Sequence, residues 1–286
     1  MARYQRQLAG LASPSAPFNL VYHEWLPETG PPQGLPVICV HGLTRNGRDF
    51  DPLAQALAAA GRRVLCPDIA GRGESDWLDT YEEYTNPHYS GHLLQLIAQL
   101  GLSKFDWVGT SMGGLIGMGI AALPDHGINR LVINDVGAVV PAAALNRIGE
   151  YVGRDHYFET LDQLEAALRV VHAPFGPLTD GQWRHLATHS ARRSGDGYRL
   201  AYDPAIAHNF QQTLDDDLDL WAIWDSIDRE TLVIRGAESD LLLPDTAKQM
   251  TERGPKAQLV EIEGCGHAPA LMADDQINIV VDWLNR

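Results

Sequence analysis

Hydrophobic positions along the chain fall into two rhythms. Short, nearly uninterrupted apolar runs recur at Val37-Ile38-Cys39-Val40, Val64-Leu65-Cys66, Phe105-Asp106-Trp107-Val108, Leu131-Val132-Ile133, Leu232-Val233-Ile234 and Leu259-Val260-Glu261-Ile262. Runs of this kind suit strands buried on both faces. Between them lie stretches with helical spacing: 51–60, stopped by Gly61, then 90–100, 114–122, a stretch from Asp245, and a last one ending near Trp283. Strand and helix in alternation predict an α/β fold, a mostly parallel sheet flanked by helices. A leading strand or hairpin is expected through residues 18–25, where Leu20, Tyr22 and Trp25 mix with polar neighbours.

The rhythm breaks near Gly137. From Val139 to about Trp224 the pattern is helical and irregular, interrupted by Pro141, Pro174, Pro177 and Pro204 and rich in aromatic residues and histidine. It resumes at Leu232. An insertion at the C-terminal edge of a parallel sheet stands where open α/β folds bind ligands. The expected organisation is therefore a core of residues 1–137 and 225–286 with a helical cap insertion at 138–224.

Composition narrows the partners. A net charge of −15 and ordinary hydrophobic content, 45%, argue against nucleic acid or an anionic membrane, both of which require clustered Lys and Arg. No stretch offers about 18 uninterrupted apolar residues for a membrane span, and residues 1–7 lack the apolar centre of a signal peptide. Cys39, Cys66 and Cys265 are odd in number and lack metal-ligand spacing, so they are expected to be packing residues. The set fits a reducing, cytoplasmic setting. Asp215-Asp216-Asp217 is expected to be a solvated face, since no further ligands stand at suitable spacing.

Candidate chemistry is concentrated in Gly109-Thr110-Ser111-Met112-Gly113, set between a strand run and a small-residue helical run. A serine on such a strand–turn–helix corner is a nucleophile elbow. The Met112 backbone N–H, opening the helix, is expected to face a developing oxyanion. The Leu43 N–H, just past His41-Gly42 at the end of a strand, is the expected second donor. Serine needs a base and an acid behind that base. In this setting they follow in the order Ser, Asp or Glu, His. His267, within Gly264-Cys265-Gly266-His267, is the expected base. Asp240, ending Gly236-Ala237-Glu238-Ser239-Asp240, is the expected acid; Asp135, after the strand at 131–133, and Glu238 are its rivals. His41, Asp68, Arg72 and Ser75 are expected to tie down loops, and Arg45 and Asn46 to lie near the pocket.

Together His41-Gly42, Asp68-x-x-Gly71-Arg72-Gly73-x-Ser75, Gly109-x-Ser111-x-Gly113, Gly236-x-x-Ser239-Asp240 and Gly266-His267 make the chain resemble the α/β-hydrolase fold superfamily in its capped bacterial form. The resemblance covers nearly the whole chain and implies a mostly parallel, eight-stranded sheet flanked by helices, with a helical cap insertion. It implies a serine hydrolase working through an acyl-enzyme on a small-molecule ester, with no metal or organic cofactor. Branches of the superfamily with an aspartate nucleophile are disfavoured by Ser111. The expected substrates are esters of small to medium hydrophobic acids, extending to aliphatic polyesters. Alternatives are a lactonase or carbon–carbon bond hydrolase of the same fold, and a non-catalytic ligand receptor built on it.

Overall fold

A computed structural model describes residues 2–286; Met1, where the expected core segment begins, lies outside the described residues. Eight strands form the main sheet: β1 (Ala2–Leu11), β2 (Phe18–Leu26), β3 (Val37–Val40), β4 (Val64–Pro67), β5 (Phe105–Thr110), β6 (Ile128–Asn134), β7 (Glu230–Gly236) and β8 (Gln258–Ile262). Their spatial order is β1-β2-β4-β3-β5-β6-β7-β8. The pairings of β1 with β2 and of β2 with β4 are antiparallel, and all the others are parallel.

Side-chain alternation explains the layers. On β3, Val37 and Cys39 point to one face and pack with Leu53 and Leu57 of helix α1 (Asp51–Ala59) and with Val280 and Trp283 of α9 (Asp274–Leu284). Ile38 and Val40 point to the other face, toward Leu93 and Leu96 of α2 (Asn86–Gln99) and Ile116 of α3 (Met112–Ala121). Every residue of β3 is buried, as a two-sided apolar run requires. The three cysteines are free and buried.

Two elements differ from expectation. β1 lies under Arg3-Tyr4-Gln5-Arg6-Gln7, a polar stretch that carries no strand pattern. It is an edge strand held by its ladder to β2, and exposed charged side chains suit an edge that must not pair further. The segment 138–224 is not wholly helical. It contains α4 (Ala142–Gly149), α5 (Leu161–Val171) and α6 (Asp180–Ser190), but also a hairpin of Ala191–Ser194 with Gly197–Leu200, whose turn has Gly195 at φ 58°. The ends of the segment meet where Val139 and Val140 pair antiparallel with Asp219 and Leu218. A short helix α7 (Trp221–Asp225) then leads back to the sheet, and α8 (Pro244–Glu252) connects β7 to β8.

The segment is tied to the loops beneath it by backbone hydrogen bonds from Gly73 N–H to the Ala201 carbonyl and from Asp203 N–H to the Gly71 carbonyl, both 2.8 Å. The Asn46 side-chain amide also donates to the His189 carbonyl, 2.9 Å. Among the described residues no helix is long and apolar enough to cross a membrane.

Candidate active site

Ser111 stands between β5 and α3 with φ 51° and ψ −114°, a conformation in which a side chain is strained. The glycines around it are fixed by backbone approach. A Cβ on Gly113 would lie 2.0 Å from the Val40 carbonyl oxygen, and one on Gly109 would lie 2.2 Å from the Gly113 oxygen. The corner is thus pressed against the end of β3, and the serine hydroxyl projects from it.

His267, in the loop after β8, places Nε2 2.9 Å from Ser111 Oγ. Its Nδ1 is 2.7 Å from Oδ2 of Asp135, a fully buried carboxylate just past β6. The structure therefore corrects the expected acid: Asp135, not Asp240, stands behind His267. Asp240 is half exposed and forms a bidentate pair with Arg147 at 2.7 and 2.9 Å. The reason lies in the turn after β7. Its Gly236 N–H donates to Asp135 Oδ1 (2.8 Å) and its Ser239 hydroxyl donates to Asp135 Oδ2 (2.6 Å). That turn buttresses the carboxylate of the neighbouring strand and directs Asp240 outward. Three donors, from Gly236, Ser239 and His267, thus converge on one buried carboxylate. Glu238 has no contact of this kind with His267 among the described residues.

Both expected oxyanion donors lie beside the serine. Met112 is the first residue of α3. Leu43 follows Gly42, at which a Cβ would be 3.7 Å from Ser111 Cβ. Among the described residues neither Leu43 N–H nor Met112 N–H has a hydrogen-bond partner. The Leu43 loop is held from below. Buried His41 donates from Nδ1 to the Gly42 carbonyl (2.7 Å) and accepts at Nε2 from Ile69 N–H (3.0 Å). This is a neutral tautomer, and burial lowers its pKa to about 4 despite the hydrogen bond to Gly42. Fully buried Arg72 donates to the Leu43 carbonyl (2.8 Å), the Ala70 carbonyl (2.8 Å) and the Tyr89 hydroxyl (2.7 Å), with its guanidinium over the Tyr89 ring. Asp68 accepts from Gly47 and Glu74 N–H groups, and Ser75 caps the Asp68 carbonyl, so these residues tie loops together as expected. Arg45 lines the cavity, whereas Asn46 is turned to the His189 carbonyl.

The cavity containing Ser111 and His267 measures about 70 Å³ and is walled by Leu43, Ile148, Val171 and Phe175, with Arg147 at its edge. A second chamber of about 140 Å³ adjoins it through Thr44, Tyr151, Val171 and His172 and is lined further by Phe158, Leu164, Leu168 and Leu200. Burial, with Arg45 and His267 nearby, pushes His172 well below its ordinary pKa, so it stays uncharged between the chambers. A larger apolar groove of about 440 Å³ lies along α2 and α3 and includes neither Ser111 nor His267.

Comparison with known proteins agrees with this fold. The family model described as alpha/beta hydrolase fold matches residues 36–273. The chain belongs to the α/β-hydrolase family. The hydrolase is 42% identical over 276 residues to the 3-hydroxybutyrate-oligomer hydrolase of Cupriavidus necator, covering 93% of each chain. Its fold superimposes on an alpha/beta hydrolase of Novosphingobium aromaticivorans with TM-score 0.85 at 35% identity over 98% of both chains. A Rickettsia typhi structure gives TM-score 0.90 at 30% identity, covering 100% of this chain and 99% of that one.

Proposed function

We propose that this hydrolase cleaves carboxylic esters through a Ser111 acyl-enzyme, with His267 as base, Asp135 in the role expected of Asp240, and residues 138–224 as a cap. The observation that carries the reading is the unbroken chain Ser111 Oγ–His267 Nε2, Nδ1–Asp135 Oδ2 inside one cavity, at 2.9 and 2.7 Å. His267 takes the serine proton as Oγ attacks the ester carbonyl. The Leu43 and Met112 N–H groups receive the oxyanion, in a site where fixed donors act most strongly. The protonated imidazole, held by Asp135, then delivers its proton to the leaving alkoxide. A water activated by the same imidazole releases the acid.

Two features support short aliphatic hydroxyacid esters as substrates. The walls are mainly aliphatic and aromatic, and the Cupriavidus necator relative acts on 3-hydroxybutyrate oligomers. Hydrolysis of p-nitrophenyl butanoate tests the mechanism. Ser111→Ala should lower kcat by roughly 10⁴–10⁶-fold, as removal of a triad nucleophile does elsewhere, while far-UV circular dichroism stays the same. Near-native turnover by Ser111→Ala would exclude the serine mechanism.

A further inference from the structure

Two arginines line the cavity of Ser111 and His267, and they differ in how firmly they are held. Arg45 is buried and locked bidentate on Asp49, with both contacts at 2.7 Å. Arg147, on α4, lines the same cavity as Ser111 and His267, yet its only carboxylate partner among the described residues is Asp240, and both are close to half exposed. An exposed ion pair contributes little and exchanges readily. The planar guanidinium it holds is suited to bind a carboxylate through two parallel hydrogen bonds. Arg147 is therefore the cavity's exchangeable cation.

We infer that Arg147 receives the free carboxylate terminus of a hydroxyacid oligomer, so that the enzyme removes hydroxyacid units from the carboxyl end. The inference rests on the ester-hydrolase reading above. With the terminal carboxylate on Arg147, the last ester bond lies at Ser111 and the rest of the oligomer extends past Tyr151 and Val171 into the adjoining chamber, whose walls combine Leu164, Leu168, Leu200 and Phe158 with Arg154 and His156. Ser111 Oγ bonds to the carbonyl carbon of the penultimate unit, and the C–O bond to the terminal unit breaks. The departing alkoxide takes from His267 the proton that came from Ser111. The terminal unit leaves as a free hydroxyacid, and water then hydrolyses the acyl-enzyme. Asp240 holds the guanidinium in place between turnovers and competes with the incoming carboxylate.

The test compares the trimer of 3-hydroxybutyrate as free acid and as methyl ester, with p-nitrophenyl butanoate as a third substrate. In the wild type kcat/KM should favour the free acid. Arg147→Gln should lower the free-acid to methyl-ester ratio by about tenfold or more, the range for a hydrogen bond to a charged group. Arg147→Lys should recover part of the ratio, and Asp240→Asn should raise it. Early products from the free acid, read by mass spectrometry, should be monomer and dimer, with the hydroxyl-terminal label retained on the dimer. A ratio that stays within about twofold in Arg147→Gln, or a hydroxyl-terminal label in the early monomer, overturns the inference while leaving the ester-hydrolase reading intact if p-nitrophenyl butanoate is turned over. A wild type that hydrolyses none of the three esters overturns both.

Discussion

At position 113 a single methyl group decides whether the nucleophile corner can sit where it does. Its Cβ would stand 2.0 Å from the Val40 carbonyl oxygen, so Gly113→Ala must push the corner away from β3. Because β3 leads directly into the Leu43 loop, the shift separates Ser111 from one of the two N–H groups proposed to receive the oxyanion. Loss of one such donor costs about 10²–10³ in kcat. Gly113→Ala should show at least that loss in a p-nitrophenyl butanoate assay; a variant with full turnover would mean that the corner tolerates displacement. At this scale Ser111 and His267 were legible because glycines at fixed offsets mark them. Asp135 and Asp240 were not separable by pattern, since each follows a strand and both strands end at the same sheet edge. What separates them is where Ser239 and Gly236 point, toward Asp135, and no local spacing encodes that.

Strands β3, β4 and β5 to β8 were legible because two-sided burial demands apolar runs. The hairpin within 138–224 was hidden, although Ser194-Gly195-Asp196-Gly197 is a turn signal, because its strands carry arginines rather than alternating hydrophobes. β1 was hidden for the related reason that an exposed edge needs no apolar pattern. The element with the sharpest chemical consequence is the loop after β3, pinned by His41. Its imidazole is neutral in the fold, with its pKa lowered from 6.5 to about 4, chiefly by burial. Below pH 6.5 the unfolded chain binds this proton and the folded one does not, so the stabilisation is complete above pH 6.5 and lost as pH falls through 4. The depression corresponds to about 3 kcal/mol. Buried His92, also lowered to about 4 by burial and by His88, adds in the same direction. Urea unfolding midpoints should therefore fall as pH is taken from 7 to 4.5, with a shallower fall in His41→Gln. A midpoint that rises on acidification would contradict the neutral, buried state of these histidines.

Over the whole molecule, the sheet gathers residues far apart in the chain onto one rim. Ser111 follows β5, Asp135 follows β6, and His267 follows β8, while β7 between the last two contributes only the turn that supports Asp135. The segment 138–224 lies between the second and third of these in sequence and supplies Ile148, Tyr151, Val171 and Phe175 to the walls over them. Chain order alone could place the three groups on the rim but could not say which strand's aspartate faces the histidine. The identity of the acid is thus the point at which the account is most specific to this fold. The direct measurement is kcat for p-nitrophenyl butanoate in Asp135→Asn and Asp240→Asn, side by side. Asp135→Asn should lose roughly 10³–10⁴-fold, the size of the loss when a triad aspartate becomes an amide. Asp240→Asn should stay within about fivefold of wild type, because it breaks only an exposed ion pair. The reverse ranking would contradict the site described here.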